Sequence, residues 1–331
     1  MKDIIKGNIY ISSATNPWYN QAFEEMLFNN ITAGQIMLYL WQNQRTVVIG
    51  RHQNAWKECD WQSLAHDGGY LARRISGGGA VYHDLGNLNF TFVMKSHDYN
   101  LAHQVSIILQ AVRNLGIEAS FCGRNDLQVD GRKFSGNAYC HKKGNSLHHG
   151  TLLFDSDYGR LNHYLRPSTE KMRAKGVRSV SSRVVNLKEV APEIDLVKLR
   201  DSICAVFSAT YQNVDCQVVD TTTAACTELY EKYASWQWRF GSSPKFSVSY
   251  YRRFLWGEAE LCFTNSQGVI EKATIYSDAM DGDFIEILAQ SLPGLPFVAE
   301  EIIAQWRPWA GNPQQREIIN DLSFLIKEKL Q

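Results

Sequence analysis

The sequence predicts an α+β protein, a mixed β-sheet with helices packed on it, followed by a smaller α+β unit. Two observations lead there. Strand-like and helix-like segments are interspersed without the regular βαβ alternation that builds a doubly wound parallel sheet. A run of small residues, Gly241-Ser242-Ser243-Pro244, then sets off a last stretch in which strands come first and helices follow. The expected division is 1–243 and 244–331.

The elements follow from local pattern. Asn8 to Ser12 alternates like a short strand, and Asn16-Pro17 opens a helix carrying Trp18, Ala22 and Met26, with Phe23 and Leu27 beside them. Ile36 to Trp41 and Thr46 to Ile49 read as two strands joined by the polar turn Gln42-Asn43-Gln44-Arg45. Leu88 to Val93 is a further strand. Val105, Ile108, Leu109, Val112 and Leu115 form a helical stripe, which Gly116 is placed to cap. Lys133 to Tyr139 and Gly150 to Phe154 are strand-like, and Asp195 to Tyr211 is helical. In the last stretch, Phe246–Tyr251, Glu258–Thr264 and Val269–Tyr276 form an antiparallel meander. Helices follow at Phe284–Leu292, Ala299–Trp306 and Pro313–Leu330.

Composition narrows the class. The chain has 331 residues, enough to bury a core without disulfides or a structural metal. Lys+Arg and Asp+Glu balance at 34 each, which argues against broad binding to nucleic acid or to an acidic membrane surface. The seven cysteines form no CxxC pair, so reduced thiols in a cytoplasm are expected rather than a disulfide framework. No stretch approaches the roughly 18 apolar residues of a membrane span, and Met1 to Lys6 does not begin a signal peptide.

Four segments carry chemistry. Ser76-Gly77-Gly78-Gly79-Ala80 removes three successive Cβ atoms, so a ligand can lie on the backbone. A plain turn between strands explains a glycine triplet equally well. Arg73 and Arg74 precede it and can fork onto a phosphate. Neither GxxxxGK[ST] nor a convincing GxGxxG is present, so a nucleotide bound here would sit in another fold.

The second segment is a hairpin turned at Asp130-Gly131, with Lys133 on the returning strand. A lysine there is ordinarily a solvated surface charge. Gly136 nearby leaves room for a close approach, and Asn125 and Asp126 offer oxygens of the kind that suit Mg²⁺. The third segment, His148-His149 before an apolar strand, has no familiar zinc spacing with Cys140-His141. A histidine lining a pocket or satisfied in the core is the simpler reading. The fourth, Arg166 to Arg183, is basic and rich in Ser and Gly. It is either a solvated loop or a lid over an anionic intermediate.

In this order the four segments resemble the lipoate–protein ligases. The matching stretches are RRISGGGAVYHDLGNLNFTF, GRNDLQVDGRKFSGNAY, HHGTLLFDSD and KGVRSVSSRVVNL, with NPWYNQAFEEMLF and TVVIGRHQNAWKEC upstream and WQWRFGSSPKFS downstream. The resemblance implies the fold shared with biotin ligases and class II aminoacyl-tRNA synthetases, a mixed-sheet catalytic domain, plus the small C-terminal accessory domain of the long bacterial-type enzymes.

It also implies a two-step reaction. Lipoate and ATP give lipoyl-AMP and pyrophosphate; a lysine of a lipoyl carrier domain then takes the acyl group. Expected carriers are the acyltransferase subunits of 2-oxoacid dehydrogenases and the glycine cleavage H protein, and the enzyme is expected to act as a monomer. By resemblance, Lys133 bridges the carboxylate and the α-phosphate. Arg74, Gly79, Ala80, Val81 and Tyr82 hold ATP. Ser76, Gly77, Gly78, Gly136 and His149 flank the lipoyl chain, which lies in a narrow tunnel. The assignment of Asn125 and Asp126 to Mg²⁺ comes from their oxygens and not from the resemblance.

Cys140 stands where some members carry an arginine. Related octanoyltransferases place a cysteine nucleophile in a stretch resembling Arg166-Pro167-Ser168, where this chain has serine. A cysteine-dependent octanoyl or lipoyl transferase that uses no ATP, with Cys122 or Cys140 as nucleophile, is the alternative.

Overall fold

The computed structural model describes residues 6–122, 125–166, 183–222, 226–240, 248–266 and 268–330. The boundary expected at Gly241–Pro244 and most of the expected lid lie outside these residues.

Eight strands form the principal sheet: β1 (Lys6–Ser12), β2 (Gln35–Trp41), β6 (Asn87–Lys95), β7 (Ser120–Cys122), β8 (Asp126–Val129), β9 (Arg132–Lys142), β10 (Asn145–Leu153) and β11 (Gln212–Val219). Their order is β11-β1-β2-β6-β10-β9-β8-β7. The β11-β1-β2 edge is parallel and the β6, β10, β9 and β8 ladders are antiparallel, a mixed sheet as expected. A second, small sheet joins β3 (Thr46–Ile49) to β4 (Tyr70–Arg73) and β5 (Val81–His83).

The sequence reading is corrected at one connection. β2 and β3 are not a pair; they belong to different sheets. The intervening residues are tied to the loop after β1 instead. Gln44 N–H donates to Thr15 O at 2.9 Å, and Asn20 Nδ2 donates to Gln42 O at 2.8 Å. These bonds carry the chain away before it can double back. β4, β5, β7 and β11 are not expected from the sequence, because each is short or exposed and lacks a buried alternating face.

Helix α1 (Pro17–Asn30) starts where Asn16 Oδ1 accepts the Trp18 N–H at 2.9 Å, with proline at the first helical position, where no amide donor is needed. Helices α2 (Leu101–Arg113) and α3 (Leu196–Thr210) cover one face of the sheet. Between them lies a core of Ile9, Leu38, Phe90, Phe92, Ile108, Val112, Phe134 and Phe207. Gly116, at φ +83°, ends the α2 segment as its position predicted. The opposite face is covered by α1 and α4 (Thr227–Ala234), packed on Met37, Tyr39, Trp41, Val93 and Leu147. Alternation along β2 decides this: Leu38 and Leu40 point one way, Tyr39 and Trp41 the other.

The last stretch has its own core. The antiparallel meander β12 (Val248–Arg253), β13 (Glu258–Ser266) and β14 (Val269–Ser277) packs on α5 (Gly282–Gln290), α6 (Ala299–Trp306) and α7 (Pro313–Lys329). The end of β14 and the loop after it touch the first unit. Ser277 N–H donates to His52 O at 2.8 Å, and Gly78 N–H donates to Ala279 O at 3.2 Å.

Candidate active site

The site lies on the α1 face of the principal sheet, where the glycine run between β4 and β5 comes down onto β9 and β10. A cavity of about 140 Å³ opens there. Arg74, Gly78, Gly79, Ala80 and Val81 form one wall, and Lys133, Gly136, Ala138, His149 and Thr151 the other. Residues expected to act together from three separate segments are therefore neighbours. Ser76, Gly77 and Asp126 are not part of the lining, and neither is Tyr82. Alternation along β5 turns it into a core under Tyr164, with ring centroids 5.7 Å apart, while Val81 and His83 face the cavity.

The glycine run is held by its own arginines. Arg74 is buried, and its guanidinium donates to Gly77 O and Gly79 O (both 2.7 Å) and to Ser76 Oγ (3.1 Å). Arg73 is spent on the carbonyls of Gly50, Arg51, Gln53, Trp238 and Arg239. The fork expected to grip a phosphate thus shapes the loop in the case of Arg74 and braces surrounding backbone in the case of Arg73. Burial lowers both to about 10, which still leaves them cationic at neutral pH. Gly78 sits at φ +88°, a conformation that favours glycine.

Lys133 owes its placement to a β-bulge. The Asp130-Gly131 turn has φ of +50° and +71°, the left-handed pair that suits a two-residue hairpin. Past it, Gln128 pairs with Lys133 but Leu127 pairs with Ser135, so β9 carries one extra residue. Strict alternation is broken there. Phe134 enters the core on the α2 face, while Lys133 joins Gly136 and Ala138 in the cavity wall. Lys133 Nζ lies 2.7 Å from Asp126 Oδ1. It also lies over Gly136, where a Cβ would stand 2.7 Å from Nζ. Lys133 O accepts the Val185 N–H at 2.9 Å, and Arg166 Nη2 meets Asp60 Oδ2 at 3.0 Å. Both ends of the basic segment are thereby anchored, one of them on Lys133 itself; residues 167–182 lie outside the described residues.

The two histidines in the middle of β10 part company. His149 faces the site, and His148 faces α2. His149 Nδ1 is 2.8 Å from Glu24 Oε1, and its Nε2 is 2.7 Å from Ser76 Oγ. Glu24, buried on α1, also accepts from Thr91 Oγ1 at 2.6 Å. The chain Arg74–Ser76–His149–Glu24 therefore ties the glycine loop to α1. Ser76 is buried and its hydroxyl is committed, so this constellation positions the loop and offers no nucleophile. His148 Nε2 is 2.9 Å from Asn137 Oδ1, whose Nδ2 donates to Asn125 O at 2.9 Å. Burial lowers the His148 pKa to about 3.

Asn125 lines the cavity and donates through Nδ2 to Asn137 O at 2.8 Å. Among the described residues no cluster of three His, Cys, Asp or Glu side chains could hold a metal ion. Nor does a cysteine line the cavity. Cys140 is buried on the α1 face and its thiol is pushed up to about 12 by burial; Cys122 is exposed on β7.

The pattern missed Gln21 and His83, which line the cavity, and Glu24, which backs His149. The available signal for Gln21 and Glu24 was a polar cluster, Asn20, Gln21 and Glu24, on a helix whose other buried residues are apolar.

Against protein families, residues 16–208 match the model of the lipoyl protein ligase A/B catalytic domain, and residues 243–320 match that of the bacterial lipoate protein ligase C-terminus. A curated lipoate-protein ligase A from Psychrobacter cryohalolentis is 39% identical, over 98% of this chain and 99% of the relative. The chain belongs to the lipoate–protein ligase family. Among solved structures in that family, LipL1 of P. falciparum in complex with lipoate superposes with a TM-score of 0.85 at 29% identity, over 98% of this chain and 100% of that one. A lipoate-protein ligase A bound with ATP superposes at 0.59 and 26% identity, over 71% of this chain and 99% of the other. The lipoate-ligase fold, a mixed-sheet unit followed by a smaller one, is the fold described above.

Proposed function

We infer that this ligase activates lipoate with ATP and transfers the lipoyl group to a lysine of a lipoyl carrier domain. The observation that carries the reading is the placement of Lys133. Its ammonium stands at a cavity whose facing wall is glycine backbone and whose remaining lining is largely apolar.

In the first step a carboxylate oxygen attacks the α-phosphorus of ATP, a P–O bond to pyrophosphate breaks, and lipoyl-AMP forms. Two anions must meet, so a compact cation between them lowers the barrier. Lys133 is proposed for that role, since an ammonium fits a crowded phosphate as a point charge. Arg74, Gly79, Ala80, Val81 and the backbone of Tyr82 would seat the nucleotide. Arg74 does so chiefly by holding the loop in shape and supplying positive potential. Ser76, Gly77, Gly78, Gly136 and His149 would flank the acyl chain. In the second step the carrier amine attacks the anhydride carbonyl, loses a proton and releases AMP.

Asn125 and Asp126 offer one amide oxygen and one carboxylate, a donor set that suits Mg²⁺ shared with phosphate oxygens. When bound, Mg²⁺ would offset phosphate charge. Binding there would require Asp126 to exchange its contact with Lys133. The reading extends to a cytoplasmic monomer with domains at 1–243 and 244–331 that acts on acyltransferase subunits and the glycine cleavage H protein. The absence of a membrane-crossing helix among the described residues is compatible with it. No observation favours the cysteine-dependent transferase.

Lipoate-dependent exchange of labelled pyrophosphate into ATP tests the proposal. Exchange is the expected result. Its absence, together with acyl transfer from a loaded carrier without ATP, would overturn the ligase in favour of the transferase.

A further inference from the structure

The far end of the same cavity is not a simple hydrocarbon slot. Gln21, on α1, has no exposed surface, yet neither its amide oxygen nor its amide nitrogen has a hydrogen-bond partner among the described residues. His83, on β5, presents a second idle group. Its Nδ1 is 3.1 Å from Asn43 Nδ2, and Asn43 Oδ1 is already taken by Asn20 Nδ2 at 3.0 Å. Asn43 therefore donates to His83 Nδ1. Burial holds the ring neutral, with its pKa lowered to about 3, so its proton sits on Nε2. That Nε2–H also has no partner among the described residues. Both side chains belong to the cavity lining, beside Trp41, whose ring stands edge-on to His83 with centroids 6.0 Å apart.

The sheet register places this end. Trp41 pairs with Asn89, Asn89 with Thr151, and Gly150 with Asn137. Going from Trp41 to the strand of Lys133 thus crosses three strand spacings, roughly 14 Å. An acid with its carboxylate at Lys133 and its chain along the cavity brings its tail to Gln21 and His83.

We propose that Gln21 and His83 read the tail of the acid, favouring one that ends in heteroatoms, such as the two sulfurs of a dithiolane ring, over a plain alkyl acid of equal length. The inference rests on the ligase reading for the direction of the acid. Its energetics follow from burial. Buried polar groups are almost always paired, and these are already out of water before any ligand arrives. A contact with them displaces no water from the protein groups, so even a weak acceptor such as sulfur gains. A methyl-ended chain gains nothing from the same N–H groups.

Lipoate and octanoate, tested on the full chain, decide the question. Wild-type protein is expected to prefer lipoate by about tenfold or more in kcat/KM for pyrophosphate exchange. In Gln21→Leu, which keeps the volume and removes the amide, KM for lipoate should rise about tenfold, the equivalent of about 1.4 kcal/mol. Octanoate should change by less than about twofold and KM for ATP should hold. Gln21→Met, straight-chained and easily packed, should repeat the pattern should the leucine variant fold poorly. Parallel loss for both acids, or an unchanged preference in the variants, would overturn the tail-reading role. Calorimetric Kd values for the two acids separate the two claims. No exchange with either acid rejects the ligase reading, whereas the binding ratio across wild type and variants still decides what Gln21 reads.

Discussion

Gly77→Ala isolates the contact between the glycine run and the loop after β14. An ideal Cβ at Gly77 would stand 2.3 Å from Ala279 O and 2.7 Å from Met280 O. Both are backbone atoms, and real Cβ contacts below 3.0 Å essentially do not occur. The loop must therefore withdraw by at least about 0.7 Å, the difference between the 2.3 Å contact and that limit. The neighbouring bond from Gly78 N–H to Ala279 O, already 3.2 Å, would stretch past hydrogen-bond range. Losing one such bond costs about 1 kcal/mol and overpacking about 1–3 kcal/mol, against roughly 0.4–1 kcal/mol regained from a stiffer unfolded chain. The net expectation is a destabilisation of about 1–3 kcal/mol. Gly79→Ala is the control. Its Cβ would meet nothing within 4 Å, because it points into the cavity, and its φ is not in the left-handed region. Urea unfolding followed by tryptophan fluorescence should show Gly79→Ala within about 0.5 kcal/mol of wild type, with ligand binding weakened instead. Equal stabilities for the two variants, or a neutral Gly77→Ala, would refute the packing argument.

Three other perturbations bear on the same site. Lys133→Ala should abolish most adenylation with little change in unfolding midpoint, since the side chain is partly exposed and carries no core packing; near-normal turnover in a folded variant would remove Lys133 from the mechanism. Glu24→Ala should destabilise by about 3 kcal/mol, because it strands the His149 and Thr91 donors in the interior; Glu24→Gln should recover most of that, and a Gln variant as unstable as Ala would contradict the pairing. His83 and His148 stay neutral in the folded protein down to about pH 3. The unfolded chain protonates near pH 6.5, so stability is full above that value and falls as the pH drops toward 3, by about 1.4 kcal/mol per pH unit for each histidine. His148→Gln should remove one such increment, and an unchanged slope between pH 6 and pH 4 would argue that the ring is not buried neutral.

Much of this was legible in the chain because it is local. The Asp130-Gly131 hairpin, the stripe of α2 ending at Gly116 and the meander of the last stretch each follow from neighbours within a few residues. The candidate site was legible as segments, since glycine triplets and a lysine after a tight turn keep their meaning out of context. The pairing of β2 was not, because a hydrogen bond from Asn20 to Gln42 O and one from Gln44 N–H to Thr15 O redirect the chain, and no local pattern encodes them. Which of His148 and His149 faces the cavity was equally hidden; adjacent residues on a strand take opposite faces, and only the packed helices say which face is which.

By itself the sequence determined the residue types that matter: a backbone free of side chains at Gly77 to Gly79, a cation at Lys133 and thiols with no partner spacing. Tertiary structure decided their use. The bulge opposite Gln128 and Leu127 turned Lys133 into the cavity wall, and burial set Arg73 and Arg74 to holding backbone carbonyls before any phosphate. It also brought Gln21 and His83 to one end of a shared cavity, where the Gln21 amide and His83 Nε2 have no partner among the described residues. The physical reason is common to all three. Whether a polar group is solvated, paired or left idle depends on atoms distant in sequence, and only the folded chain supplies them.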